Sequence, residues 1–100
     1  MRLQLLLIIF LIGTSELLAQ NWCKKSDFPG SSRRNANGFS LNDKGYVCLG
    51  GNNSSNTSGH FAELEMYDPD TDNWTSKTDF PGTARRNGIA FTIDSFAFVG

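Results

Sequence analysis

Trp22 and Trp74 lie 52 residues apart, and each opens the same phrase, NWCKKSDFPGSSRRN from Asn21 and NWTSKTDFPGTARRN from Asn73. Aligning residues 21–48 with 73–100 gives 12 identities in 28 positions. A period of about 50 residues belongs to architectures that stack one supersecondary unit on the next, because a single unit leaves an apolar face that only a neighbour can cover. The repeated residues therefore report how units stack, whereas function sits in the loops and end surfaces that vary between them.

The first nineteen residues stand outside this pattern. Met1 and Arg2 precede an apolar run from Leu3 to Ile12, broken only by Gln4, and Gly13-Thr14-Ser15-Glu16 leads to Leu17-Leu18-Ala19. The run is too short for the roughly 20 apolar residues of a stable transmembrane anchor, and the pattern reads as a secretory signal over 1–19, cut after Ala19 or Gln20. The residues before Cys23 do not resemble a lipid-attachment pattern, so the mature chain is expected in a secreted, periplasmic or cell-surface location without a membrane anchor. The formal net charge is −1, with acids and bases interspersed, which gives no field for nucleic acid or an anionic membrane.

After the signal, strand-like stretches alternate with turn chemistry, the content of a four-stranded blade. Asn21 to Lys25 is the first, followed by a breaker cluster at Phe28-Pro29-Gly30. A strand ending at Phe39-Ser40-Leu41 meets a polar hairpin loop at Asn42-Asp43-Lys44-Gly45, and Tyr46-Val47-Cys48-Leu49 returns to Gly50-Gly51. Residues 52–60 hold almost no apolar side chain and read as an exposed loop. Phe61 to Tyr67 alternates Leu64 and Met66 against Glu63 and Glu65, a period of two. Asp68-Pro69-Asp70-Thr71-Asp72-Asn73 is a turn of Asx residues around a proline, delivering Trp74 to Lys77 as the next strand. Residues 84–100 repeat the arginine strand and the apolar strand and stop at the equivalent of Cys48. The expected fold class is all-β, with about one and a half blades of four antiparallel strands and the second repeat truncated.

The Gly50-Gly51 pair, the Tyr67-Asp68-Pro69 turn and Trp74 at their spacing resemble the kelch repeat over residues 21–100. Asp27-Phe28-Pro29-Gly30 and its copy from Asp79 resemble the variant of secreted bacterial kelch proteins, related to the central domain of galactose oxidase. The resemblance implies a β-propeller in which the Trp22 strand would close the ring as the outer strand of the last blade. Each tryptophan would bury up to about 200 Å² between blades, worth about 5 kcal/mol at most. Gly50 and Gly51 would relieve crowding or supply a positive φ, and Asp68 would accept backbone N–H groups.

No catalytic, cofactor-binding or metal-binding set emerges. Arg33-Arg34 and Arg85-Arg86 present forks suited to carboxylate or sulfate, but their recurrence favours a structural role, for instance pairing with Asp68 or Asp79. Neighbours on a strand face opposite ways, so at most one of each pair can line a common surface. His60 is the only histidine, and the copper oxidases sharing the implied propeller need more tyrosine and histidine than this chain holds. Glu63 and Glu65 are read as solvated strand charges. Cys23 and Cys48 fall on non-repeating positions, which argues against a structural disulfide. Asn52, Asn53, Asn56 and Asn73 open Asn-x-Ser/Thr triplets, and of these the stretch Asn52–Ser58 is read as a polar loop on a rim for a carbohydrate or protein ligand. The function expected is a secreted binding or protein-interaction module with an unknown protein or carbohydrate ligand and no cofactor. The alternative is a propeller enzyme, an oxidase or a sialic-acid epimerase by resemblance, with its catalytic residues in blades outside this chain.

Overall fold

The computed structural model describes residues 21–52 and 59–100; the signal expected over 1–19 and most of the polar loop lie outside them. Six strands run in order: β1 (Asn37–Leu41), β2 (Lys44–Cys48), β3 (Leu64–Asp68), β4 (Asn73–Lys77), β5 (Ala90–Ile93) and β6 (Phe96–Val99). The first four form one antiparallel sheet in the order β1-β2-β3-β4, and β5 and β6 form a hairpin. The described residues are therefore all-β, one complete four-stranded blade and the first half of a second.

Local chemistry sets each turn. Leu41 pairs with Lys44, leaving a two-residue loop, and Asn42 and Asp43 both adopt positive φ (52° and 60°). That conformation matches the right-handed twist of the strands, and Asn and Asp tolerate it best among residues with a Cβ. Between β3 and β4, Asp68 pairs with Asn73, and the Asp68 carboxylate accepts the Asp70 N–H at 2.9 Å. Lys44 Nζ sits 3.2 Å from the same carboxylate and ties β2 to this turn.

Directly opposed residues of an antiparallel pair share a face. One face of the blade carries Phe39, Tyr46, Cys48, Leu64 and Met66; the other carries Val47, Glu65, Tyr67, Trp74 and Ser76. The first is covered by the next repeat: Phe80, Ala97 and Val99 close over Phe39, Cys48 and Leu64 and leave a gap of about 190 Å³. Phe39 and Tyr46 stack there at 4.9 Å, as their counterparts Phe91 and Phe98 do at 5.1 Å on the second blade. On that second blade the face is open, with Ile89, Phe91, Ile93, Phe96 and Phe98 exposed.

The second face is covered by residues 26–33, as the first is by 78–81. Phe28 meets Trp74 edge to face at 5.2 Å, and the indole Nε1 donates to the Ser26 carbonyl at 3.1 Å. Residues 21–25 form no strand, and Trp22 is 99% exposed. The strand expected at Asn21–Lys25 belongs to the outer edge of the last blade, which is not among the described residues; in the described blade the fourth strand comes from Trp74.

Glu63, just before β3, and Glu65 within it also depart from expectation. Glu65 is buried at 7% exposure and accepts the Ser76 hydroxyl at 2.8 and 3.0 Å, while Glu63 pairs with Arg33. In a stack of blades both sheet faces are covered, so the polar side of an alternating strand need not meet water. Cys23 is exposed and Cys48 buried, and both are free; burial pushes the Cys48 thiol pKa up.

Candidate functional site

The two members of the first arginine pair part company. Arg33 turns inward: its side chain is 5% exposed, pairs with Glu63, donates to the Leu49 carbonyl at 3.1 Å, and lies over the Phe28 and Phe61 rings. Its repeat counterpart Arg85 lies over Phe80 at 5.0 Å and donates to the Thr83 carbonyl, as Arg33 does to Ser31. These two are the structural arginines, and the acid that holds Arg33 is Glu63, not the Asp68 or Asp79 expected. Arg34 and Arg86 make no ion pair among the described residues.

Their positions are set by the course of the chain just past β2. Leu49 and Gly50 take positive φ (61° and 90°), and the resulting kink carries Gly51 into a new pairing between Arg34 and His60. Arg34 and Gly51 exchange both backbone hydrogen bonds, at 2.8 and 3.0 Å, so the Arg34 side chain leaves on the side where a Gly51 Cβ would stand. On that same side the His60 ring edge lies 3.0 Å, and the Arg86 Cδ 3.4 Å, from that position. The absent side chain of Gly51 is thus the space around which Arg34, His60 and Arg86 gather. A cavity of about 310 Å³ opens beside it, lined by Ser32, Arg33, Arg34, Gly51 and Asn52. His60 Nε2 is buried with no hydrogen-bond partner among the described residues.

Main-chain bonds fix the two repeats to each other at this corner. The Gly50 N–H donates to the Arg85 carbonyl at 2.9 Å, and the Asn87 N–H to the Asn35 carbonyl at 3.1 Å. Asn35 and Asn87, repeat equivalents, both have positive φ. The asparagine after each arginine pair is therefore the residue that turns the chain at the seam.

A polar cluster closes the far end of the blade. The Tyr67 hydroxyl donates to Asp72 Oδ1 at 2.7 Å, and the same oxygen accepts the Ser26 N–H at 2.9 Å. The Ser26 N–H, then the Tyr67 hydroxyl, hold the Asp72 carboxyl below its usual range, and the Asp72 hydrogen bond pushes the Tyr67 pKa up to about 12. The Asp68 carboxyl is likewise lowered, chiefly by the Asp70 N–H. Every group of this cluster is committed to a neighbour, so it anchors the 26–33 segment and offers no reactive atom.

Sequence reasoning isolated the arginine pairs and His60 but not their gathering around Gly51, which depends on a kink at Leu49 that no residue type announces. The Asn53 and Asn56 triplets lie outside the described residues. Among the described residues, no three His, Cys, Asp or Glu side chains are grouped to hold a metal ion, and no helix is long and apolar enough to cross a membrane.

No family model matches the chain, and no curated protein matches it. Among solved structures, that of YjhT is similar, with a TM-score of 0.67 and 24% identity over 79% of this chain and 23% of that one. The likeness shows the fold, and the chain spans less than a quarter of the length of that structure.

Proposed function

We propose that the chain belongs to a secreted kelch-type β-propeller that works as a binding module, taking a protein or carbohydrate ligand at the end of the blades where Gly51 lies. The kelch assignment is supported by the roles its marker residues take. Gly50 supplies a positive φ, Gly51 the space, Asp68 the turn cap and Trp74 the packing against the preceding segment. Secretion is supported by the basic start and short apolar run before Ala19.

The observation that carries the binding reading is the division of labour within the arginine pairs. One member of each lies over a phenylalanine of its own repeat, and of the other members, which make no ion pair among the described residues, Arg34 lines a cavity of a size that small ligands fill. The test is to pass the full-length protein over immobilised glycans and peptides and to assay galactose solutions for peroxide in parallel. Saturable binding without peroxide or altered sugar supports the module; turnover of a sugar would replace it with an enzyme.

A further inference from the structure

We infer that Arg34 and Arg86 together form an oxyanion site at the seam between the two blades, taking the carboxylate or sulfate group of a small ligand. The inference rests on the binding reading above and gives it a chemistry. Three observations lead to it. Arg34 and Arg86 occupy the same position in consecutive repeats, and the Asn87–Asn35 bond holds those positions side by side. The Arg86 Cδ lies 3.4 Å from the vacant Cβ position of Gly51, and the backbone pairing of Arg34 with Gly51 sends the Arg34 side chain out on that same side. The acid in this corner, Glu63, is already held by Arg33.

Arginines from consecutive repeats that leave the backbone on one side of the seam can turn both forks to one oxyanion, whose charge offsets the repulsion between them. Arg33 lines the cavity beside Arg34, but its side chain is 5% exposed and bonded to Ser31, Leu49 and Glu63, so it fixes the floor and does not recognise the ligand. Gly51 is the enabling residue: a Cβ there would stand 3.0 Å from the His60 ring and 3.4 Å from the Arg86 Cδ.

The probe is inorganic sulfate, with acetate as the planar alternative, titrated into the full-length protein at constant ionic strength while the arginine Nε–H resonances are followed by NMR. The Arg34 and Arg86 signals should shift and saturate, and those of Arg33 and Arg85 should stay. Saturation by sulfate over acetate identifies a tetrahedral oxyanion, and the reverse a carboxylate. Arg86→Ala and Arg34→Ala should each weaken binding about tenfold, the worth of a lost charge-assisted pair. Arg34→Lys should recover only part, because a point charge replaces a fork. Unsaturable shifts in the wild-type protein, or undiminished affinity in both alanine variants, would overturn the site. If the immobilised ligands still bind while sulfate and acetate do not, this inference fails and the module stands. Loss of both sinks the two together.

Discussion

Arg33 and Glu63 are joined across the blade by an ion pair whose guanidinium is nearly buried, at 5% exposure, and whose carboxylate is 43% exposed. The arginine also reaches the Leu49 carbonyl at 3.1 Å, the point at which the chain kinks toward Gly51. One side chain therefore fastens the N-terminal segment, the kink and the start of β3.

Removing that arginine should cost more than removing its partner. Arg33→Ala empties the contacts with Phe28 and Phe61 and leaves the Leu49 carbonyl without that donor, for an expected loss of about 2–3 kcal/mol. Glu63→Gln keeps a hydrogen-bond acceptor at a half-exposed position but takes the counter-charge from a nearly buried arginine, and should cost about 1–2 kcal/mol. Denaturant unfolding of the two variants checks the order.

The tryptophans should behave unequally despite their shared place in the repeat. Trp74 touches Phe28 and Tyr67 and donates to Ser26, so Trp74→Ala should cost about 2–3 kcal/mol, below the loss for a fully buried ring. Trp22 is 99% exposed, and Trp22→Ala should change stability by less than about 0.5 kcal/mol. Thermal melts of both variants decide; an equal loss would mean that Trp22 is covered.

The Tyr67–Asp72 pair should leave a mark at both ends of the pH scale. Asp72 has a folded pKa below its unfolded value of about 3.9, so its contribution is present above that pH and is lost as pH falls through the folded value. Tyr67 is raised from 10.0 to about 12, so its contribution is complete below pH 10 and is lost as pH rises from 10 toward 12. Asp72→Asn should flatten the acid limb and return the Tyr67 titration toward 10, read from phenolate absorbance. An unmoved tyrosine would show that Asp72 does not hold it.

A thiol reagent should find one cysteine at once. Cys23 is exposed and should react promptly, whereas Cys48 is buried with a raised pKa and should react only on unfolding. Denaturant-dependent labelling of the Cys23→Ser variant isolates the second thiol; prompt reaction there would contradict the burial of Cys48.

The strands and turns of the blade were readable because their signals are local: Asn42-Asp43 in a two-residue loop, Asp68-Pro69 in a capped turn, alternation along β3. Residues 21–25 form no strand among the described residues, since a strand exists only with a partner and the last blade, in which Trp22 is expected to pair, is not among them. The burial of Glu65 was not readable, because alternation separates two faces without saying that both are covered. The candidate site was half visible. Repetition singled out the arginines, and pleating limited each pair to one surface residue, but which one emerged only from the pairing of Arg34 with Gly51.

Three bonds that cross between repeats, Gly50 to Arg85, Asn87 to Asn35 and Phe80 to Ala62, join main-chain atoms. The angle at which one blade succeeds the next is thus written into these backbone bonds and into the apolar side chains of Phe80, Ala97 and Val99 over the sheet face, not into the polar side chains at the seam. Positions 34, 52, 60 and 86 can consequently change their chemistry without re-aiming the blades, so ligand choice and assembly geometry are inherited separately.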